Sequence, residues 1–212
     1  MAVMATARTR SLVEQASAEL LGPGAAAAPL TLKGSDALVF YRRDEQELKR
    51  RHAVGAHRLD RIAALTTLLQ LPVDEPVPLA LLKADLAAGV RRLPYGAAEL
   101  QGGHVRRRAV RPLTVDLVVV RCPPAGWRDG LVRAGRSAPF ARRALLADPP
   151  AAERDDLLMQ AAFYGIGVLA PTRSGAELIL EPRAYRPSRH TPAAWCFVEE
   201  LHQRLHPATV HA

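Results

Sequence analysis

Four arginines stand directly before or within the start of an apolar run in HVRRRAVRPLTVDLVVV, residues 104–120, and the run holds one carboxylate, Asp116. A guanidinium fork takes two oxygens of one phosphate at once, so Arg106, Arg107, Arg108 and Arg111 have the chemistry to hold a nucleic-acid backbone without reading its bases. A second set, Arg183, Arg186 and Arg189 in RAYRPSRH, residues 183–190, repeats this chemistry, with Tyr185 beside it as a surface for base stacking. A carboxylate inside an apolar strand requires a cation, a metal or several donors around it. Asp116 is therefore expected to pair with an arginine of the preceding strand or to sit where the strand is still exposed, or else to ligate Mg²⁺ in a phosphodiester-cleaving site.

Other acids offer weaker chemistry. Glu99 is a further candidate ligand, and Glu47-Leu48-Lys49 follows Asp36 by eleven residues, an acid with an acid-x-lysine tripeptide. Glu199, His202 and His206 fall on one helical face, a spacing at which carboxylate and imidazole can meet one Zn²⁺. Nothing supplies an evident fourth ligand, and histidines in a last turn also suit the negative end of the helix dipole, so no bound metal is expected. Gly-x-Ser-x-Gly, P-loop and Gly-x-Gly-x-x-Gly motifs do not occur, and no cofactor is expected.

The elements that must position these residues follow from spacing. Leu12, Val13, Ala16 and Leu20 predict a short N-terminal helix, ended by the linker GPGAAAAP at residues 22–29. DALVFYRR predicts a strand. Asp44 and Glu47 then form a capping box for a helix whose Glu45/Lys49 and Glu47/Arg51 pairs build a solvated face. Leu59, Ile62, Leu65 and Leu69 mark a second helix, LPVDEPVP a rigid connector, and Leu79, Leu82 and Leu86 a third helix. If residues 104–110 are extended, Arg106 and Arg108 share one face and Arg107 lies opposite with Val105 and Ala109, which predicts a basic edge or wing. The run after it, apolar on both faces, predicts a central strand. Helices are predicted over Trp127 to Ala134, over Pro139 to Ala147, and from about Ala151, the last buried over a wide arc. GIGVLAP and AELILEP predict a hairpin, and Thr191 opens a terminal helix. The expected class is α/β (α+β): a small mixed sheet covered by helices, with a helical N-terminal portion. The expected division is 1–29, a mainly helical 30–101, and an α/β region over 102–212, the last two either separate or joined in one domain.

Of 212 residues, 49% are hydrophobic, enough for a sizeable core, and only 5% are aromatic. The formal charge is +8, carried almost wholly by arginine because only Lys33, Lys49 and Lys83 are lysines. Such a surplus favours nucleic acid or an acidic protein as partner, although an arginine-rich, lysine-poor chain is also what a GC-rich bacterial genome tends to encode. Two cysteines make no disulfide framework, which suits a reducing cytoplasm. No apolar stretch approaches a membrane span, and Glu14 and Glu19 interrupt any signal-peptide core.

The order of elements over residues 95–182 is similar to the core of the restriction-endonuclease-like superfamily, in which an Asp on one strand is followed by a Glu/Asp-x-Lys tripeptide on the next. No lysine lies beyond Lys83, and Glu47-Leu48-Lys49 falls where the capping box predicts helix. The resemblance therefore implies a diverged, catalytically inactive relative. A second layout also fits: two helices at residues 59–71 and 79–88, YGAAELQ as a truncated recognition helix, and a 104–120 hairpin as the wing of a winged-helix module. The leading expectation is a non-catalytic nucleic-acid-binding or regulatory protein. The alternatives are a Mg²⁺-dependent nuclease and an adaptor for an acidic protein.

Overall fold

The computed structural model describes residues 13–32, 34–173, 176–187 and 189–205. A helical turn over 13–16 leads into strands β1 (Ala26–Leu32) and β2 (Ser35–Arg43), then helices α1 (Glu45–Ala53) and α2 (Ile62–Leu69). Strand β3 (Pro76–Pro78), a 3-10 turn at Leu79–Leu81, helix α3 (Ala84–Val90) and strands β4 (Ala98–Gln101), β5 (His104–Arg107) and β6 (Leu113–Arg121) follow. The remainder is α4 (Trp127–Gly135), β7 (Arg142–Leu146), α5 (Arg154–Tyr164), β8 (Gly167–Pro171), β9 (Ala176–Leu180) and α6 (Pro192–Leu205). The class is mixed α/β, as the sequence predicts. None of the helices among the described residues is long and apolar enough to cross a membrane.

The described residues form two compact units, one from those within 13–42 and 115–186, the other from those within 43–114 and 187–205. The boundary expected between residues 101 and 102 falls inside the second.

The first unit is built on a six-stranded sheet in the order β1-β2-β6-β7-β8-β9. β6, β7 and β8 are parallel, while β1 pairs antiparallel with β2 and β9 with β8. Half of the expected alanine linker is strand: the ladder runs from Ala26 opposite Tyr41 to Leu32 opposite Ser35, and Ala27 is buried in the cluster of Phe40, Leu117 and Val119. Alanine has little intrinsic strand preference, but a small side chain fits where the sheet meets the packed core, and that context decides. The helix expected over Pro139 to Ala147 is instead β7. Ala144 and Leu145 are fully buried, and a short run apolar on both faces has no period that separates a buried parallel strand from a helix. The hairpin of β8 and β9 matches the sequence expectation. Helix α5 is covered on one side only: Leu157 and Ala161 are buried, whereas Met159 and Phe163 face solvent. Gly165 ends it with φ +67°, the left-handed conformation that lets the Ile166 N–H reach the Ala161 carbonyl (2.8 Å) and the chain turn into β8.

In the second unit Asp44 caps α1, its carboxylate accepting from the Glu47 N–H at 2.9 Å, and the Asp44 N–H donates to the Pro112 carbonyl at 2.9 Å. α2 packs against α3 and α6. A three-stranded sheet has the order β3-β5-β4, so β5 is its middle strand rather than the expected edge. The segment expected as a connector supplies one neighbour: prolines suit an edge strand, and Val77 sits opposite Val105. YGAAELQ supplies the other as a turn and β4, with Leu100 opposite Val105. Gly102 and Gly103 (φ +57° and +72°) make the two-residue turn from β4 to β5. The hairpin beside α3 is thus residues 98–107, not 104–120, because β6 leaves to join the other sheet.

Candidate functional site

The alternation along β5 decides the fate of its arginines. Val105 is fully buried against Leu71 and Val90, so Arg106 points outward. It lies opposite Glu99 on β4 and Pro76 on β3, and with Gln101 and His104 lines a shallow depression of about 320 Å³. Arg107 turns inward. Its guanidinium donates to the carbonyls of Leu68 (3.0 Å), Leu71 (3.2 Å) and Ala109 (3.0 Å) and lies 4.8 Å from the ring centre of Trp195. Burial lowers its pKa from the usual arginine value. Arg108 pairs with Asp74 (2.8 Å) and Glu99 (3.3 Å), and Arg111 meets His190 at 3.4 Å. Burial first, and then Arg111 and Arg107, lower the pKa of that imidazole. Of the four arginines, Arg106 is exposed, whereas Arg107, Arg108 and Arg111 are half-buried. Basic side chains outside the sequence clusters flank α3: Lys83 precedes it, and Arg91 and Arg92 follow it, all exposed. The signal in the sequence that could have found them is a cation at each end of a short amphipathic helix directly before a Gly-Gly hairpin.

Of the second basic set, Arg183, Arg186 and Arg189 are exposed. The Arg183 N–H donates to the Gly165 carbonyl, and the Tyr185 hydroxyl donates to the Pro139 carbonyl at 2.7 Å.

Of the carboxylates expected as catalytic candidates, Asp116, Glu47 and Glu99 have cationic partners. Asp116 accepts Nε of Arg42 at 2.9 Å and Nη2 at 2.9 Å in a bidentate fork, and the Gly22 N–H at 3.2 Å. Its arginine thus comes from β2, not from the arginine-rich strand before it. Hydrogen bonding to Asp116 raises the Arg42 pKa. Glu47 is buried, so the Glu47/Arg51 pair does not belong to a solvated face. It accepts from Arg50 (2.7 Å), Arg51 (2.6 Å) and the Val110 N–H (3.3 Å). Burial pushes its carboxyl up, and the hydrogen bonds from Arg50 and Arg51 more than reverse this, leaving it below the ordinary range. Lys49 points to solvent from α1, the helix that the capping box predicts. Glu99 is exposed on β4.

Glu199 is also committed. Arg51 donates to both its oxygens at 2.8 Å, and Trp195 Nε1 donates to Oε1 at 2.8 Å. His202 lines a cleft with His52, His57 and Arg58, and His206 lies outside the described residues. No group of three metal-ligating side chains occurs among the described residues.

Asp36 stands on β2 and accepts from Thr31 Oγ1 at 3.1 Å. It lines a pocket of about 300 Å³ with Val13, Leu30, Leu38, and Val119 and Arg121 of the adjacent strand β6. Asp36 is the sole carboxylate among the described lining residues, and Arg121 is a cation that belongs to neither sequence cluster.

No protein-family model, curated protein or solved structure matches this chain.

Proposed function

We propose that the chain is a non-catalytic cytoplasmic protein that binds duplex DNA through arginine–phosphate contacts and acts as a regulator. The observation that carries this reading is the second unit's run of α2, β3, a 3-10 turn, α3 and the β4–β5 hairpin, with strand order β3-β5-β4. That succession is the layout of a winged-helix module, in which a helix and the hairpin beside it approach the duplex. The outward groups suit phosphate contact, since Lys83, Arg91 and Arg92 flank α3, and Gln101, His104 and Arg106 lie on the hairpin. α3 itself carries Ala84, Asp85, Leu86, Ala87, Ala88, Gly89 and Val90, which offers few donors to base edges, so phosphate contact rather than sequence readout dominates.

The first unit supports the non-catalytic half of the reading. Its strand order β1-β2-β6-β7-β8 and its crossover helices α4 and α5 fit a restriction-endonuclease-like core, with Asp36 as the acid on one strand. On the next strand the pocket receives Val119 and Arg121, a Val-x-Arg in place of acid-x-lysine, which leaves no pair of carboxylates for Mg²⁺ among its described lining residues.

Fluorescence anisotropy with a generic duplex over a range of salt tests this. Affinity should fall steeply, the logarithmic slope changing by about 0.9 for each phosphate contact removed. Arg91→Ala/Arg92→Ala/Arg106→Ala should flatten it. Binding unchanged by these substitutions, or Mg²⁺-dependent cleavage of the duplex, would sink the proposal. A nuclease-resistant protein complex with no DNA binding would favour an acidic protein partner.

A further inference from the structure

We infer that the outer face of α4 and α5 is a self-association surface through which two copies of this chain pair about a two-fold axis. Both helices are crossovers between parallel strands, so they run side by side in the same direction. Arg128, at the start of α4, bridges Glu153 (2.7 Å) and Asp156 (3.7 Å) at the start of α5 and holds the two N-terminal ends together. The inner faces bury Trp127, Leu131 and Ala134, and Leu157 and Ala161. The outer faces leave Val132 62%, Met159 65% and Phe163 77% exposed, and Tyr164, 53% exposed at the end of α5, packs edge-on against Phe163 with ring centres 5.1 Å apart. Among the described residues of the first unit, Ile179 is the one other large apolar side chain that stands exposed. Apolar side chains gathered on two adjacent helices mark an interaction surface.

Charge selects the occupant. Two copies of a chain carrying +8 repel one another, and association needs a face free of that surplus. Over residues 127–136 and 151–164 the charged side chains are Arg128, Arg133, Arg136 and Arg154 against Asp129, Glu153, Asp155 and Asp156, four of each sign. They are also polarised along the helices. The N-terminal end holds two arginines and four acids, a net −2; the C-terminal end holds Arg133 and Arg136, a net +2. A two-fold axis lying in the plane between the two apposed faces, perpendicular to the helix axes, sets each end against the opposite end of the other copy, with the apolar side chains between them, as an isologous interface requires. A partner of uniform charge would meet repulsion at one end.

Sedimentation velocity on the full chain across about a hundredfold concentration range is the test. The mass should rise from one chain to two. Phe163→Glu with Met159→Glu should abolish the rise while leaving the melting temperature unchanged at concentrations where the parent is a single chain, since both side chains are exposed there. Asp155→Arg/Asp156→Arg and Arg133→Glu/Arg136→Glu should each weaken pairing alone, and an equimolar mixture of the two should restore it. A single-chain mass at every concentration, a dimer indifferent to Phe163→Glu/Met159→Glu, or no restoration on mixing would overturn the inference. Duplex binding is read separately, so loss of self-association and failure of the DNA-binding reading are distinguishable.

Discussion

Arg42 of β2 and Asp116 of β6 form a two-pronged ion pair, Nε to Oδ2 and Nη2 to Oδ1, each at 2.9 Å, with the Asp116 side chain 8% exposed. The Gly22 N–H adds a third donor to the same carboxylate. The pair ties neighbouring strands of the sheet together, and the residue that looked most like a catalytic acid is a structural clasp.

Replacing Asp116 by alanine is expected to destabilise the fold by about 1.5–3 kcal/mol, the usual range for a lost hydrogen bond to a charged group when one partner stays half-exposed. Urea denaturation should show a lower midpoint with an unchanged slope. A variant as stable as the parent would refute the clasp.

Glu47 gives a pH dependence with a definite sign. Its carboxyl lies below the ordinary range in the folded protein, so its contribution is complete above the unfolded value and is lost as pH falls through the folded one. The melting temperature should therefore drop on acidification below the ordinary glutamate range, and Glu47→Gln should remove part of that drop. At neutral pH the same substitution should cost about 3–5 kcal/mol, because Arg50 and Arg51 lose the buried partner they share.

Arg106 and Arg107 should part company. Arg107→Ala removes three carbonyl contacts and the Trp195 stack, and is expected to cost about 2–3 kcal/mol of stability. The salt dependence of duplex binding should be unchanged. Arg106→Ala should leave the melting temperature in place and reduce the salt slope by about 1. The opposite pattern would reverse the inward and outward assignments along β5.

Cys122 is buried beneath the Leu146 carbonyl, and burial pushes its thiol up to about 11. It should resist thiol-specific reagents at about pH 8 in the native protein and react once the chain is unfolded. Prompt labelling of Cys122 in native protein would contradict its placement.

Elements with strong local signals were legible in the sequence: the aromatic and β-branched strand ending at Arg43, the Asp44 cap, and the Thr191 cap, whose hydroxyl accepts from the Ala194 N–H at 3.1 Å. What escaped is what long-range packing determines. The first four residues of β1 are alanine and proline, and they become strand because β2 lies beside them. β7 has the composition of a helix and is a strand because parallel neighbours cover both its edges. The arginine alternation was readable along β5, but the partners of Arg107 and Asp116 were not. Leu68 and Leu71 lie more than thirty residues before Arg107, and Arg42 lies 74 residues before Asp116. Helix-face spacing brought Glu199 under suspicion as a ligand; nothing local indicates that Arg51, 148 residues away, already occupies it.

The Asp44 amide and the Pro112 carbonyl meet at 2.9 Å, so the long excursion between β2 and β6 has its two ends fastened together. Zipping β2 to β6 across an unstructured stretch would incur the closure entropy of that whole stretch, whereas a folded excursion presents the two strands as a short hairpin would. The second unit is then expected to gain structure first and the central sheet to close afterwards. A short turn replacing residues 44–112 would let β2 and β6 meet without it.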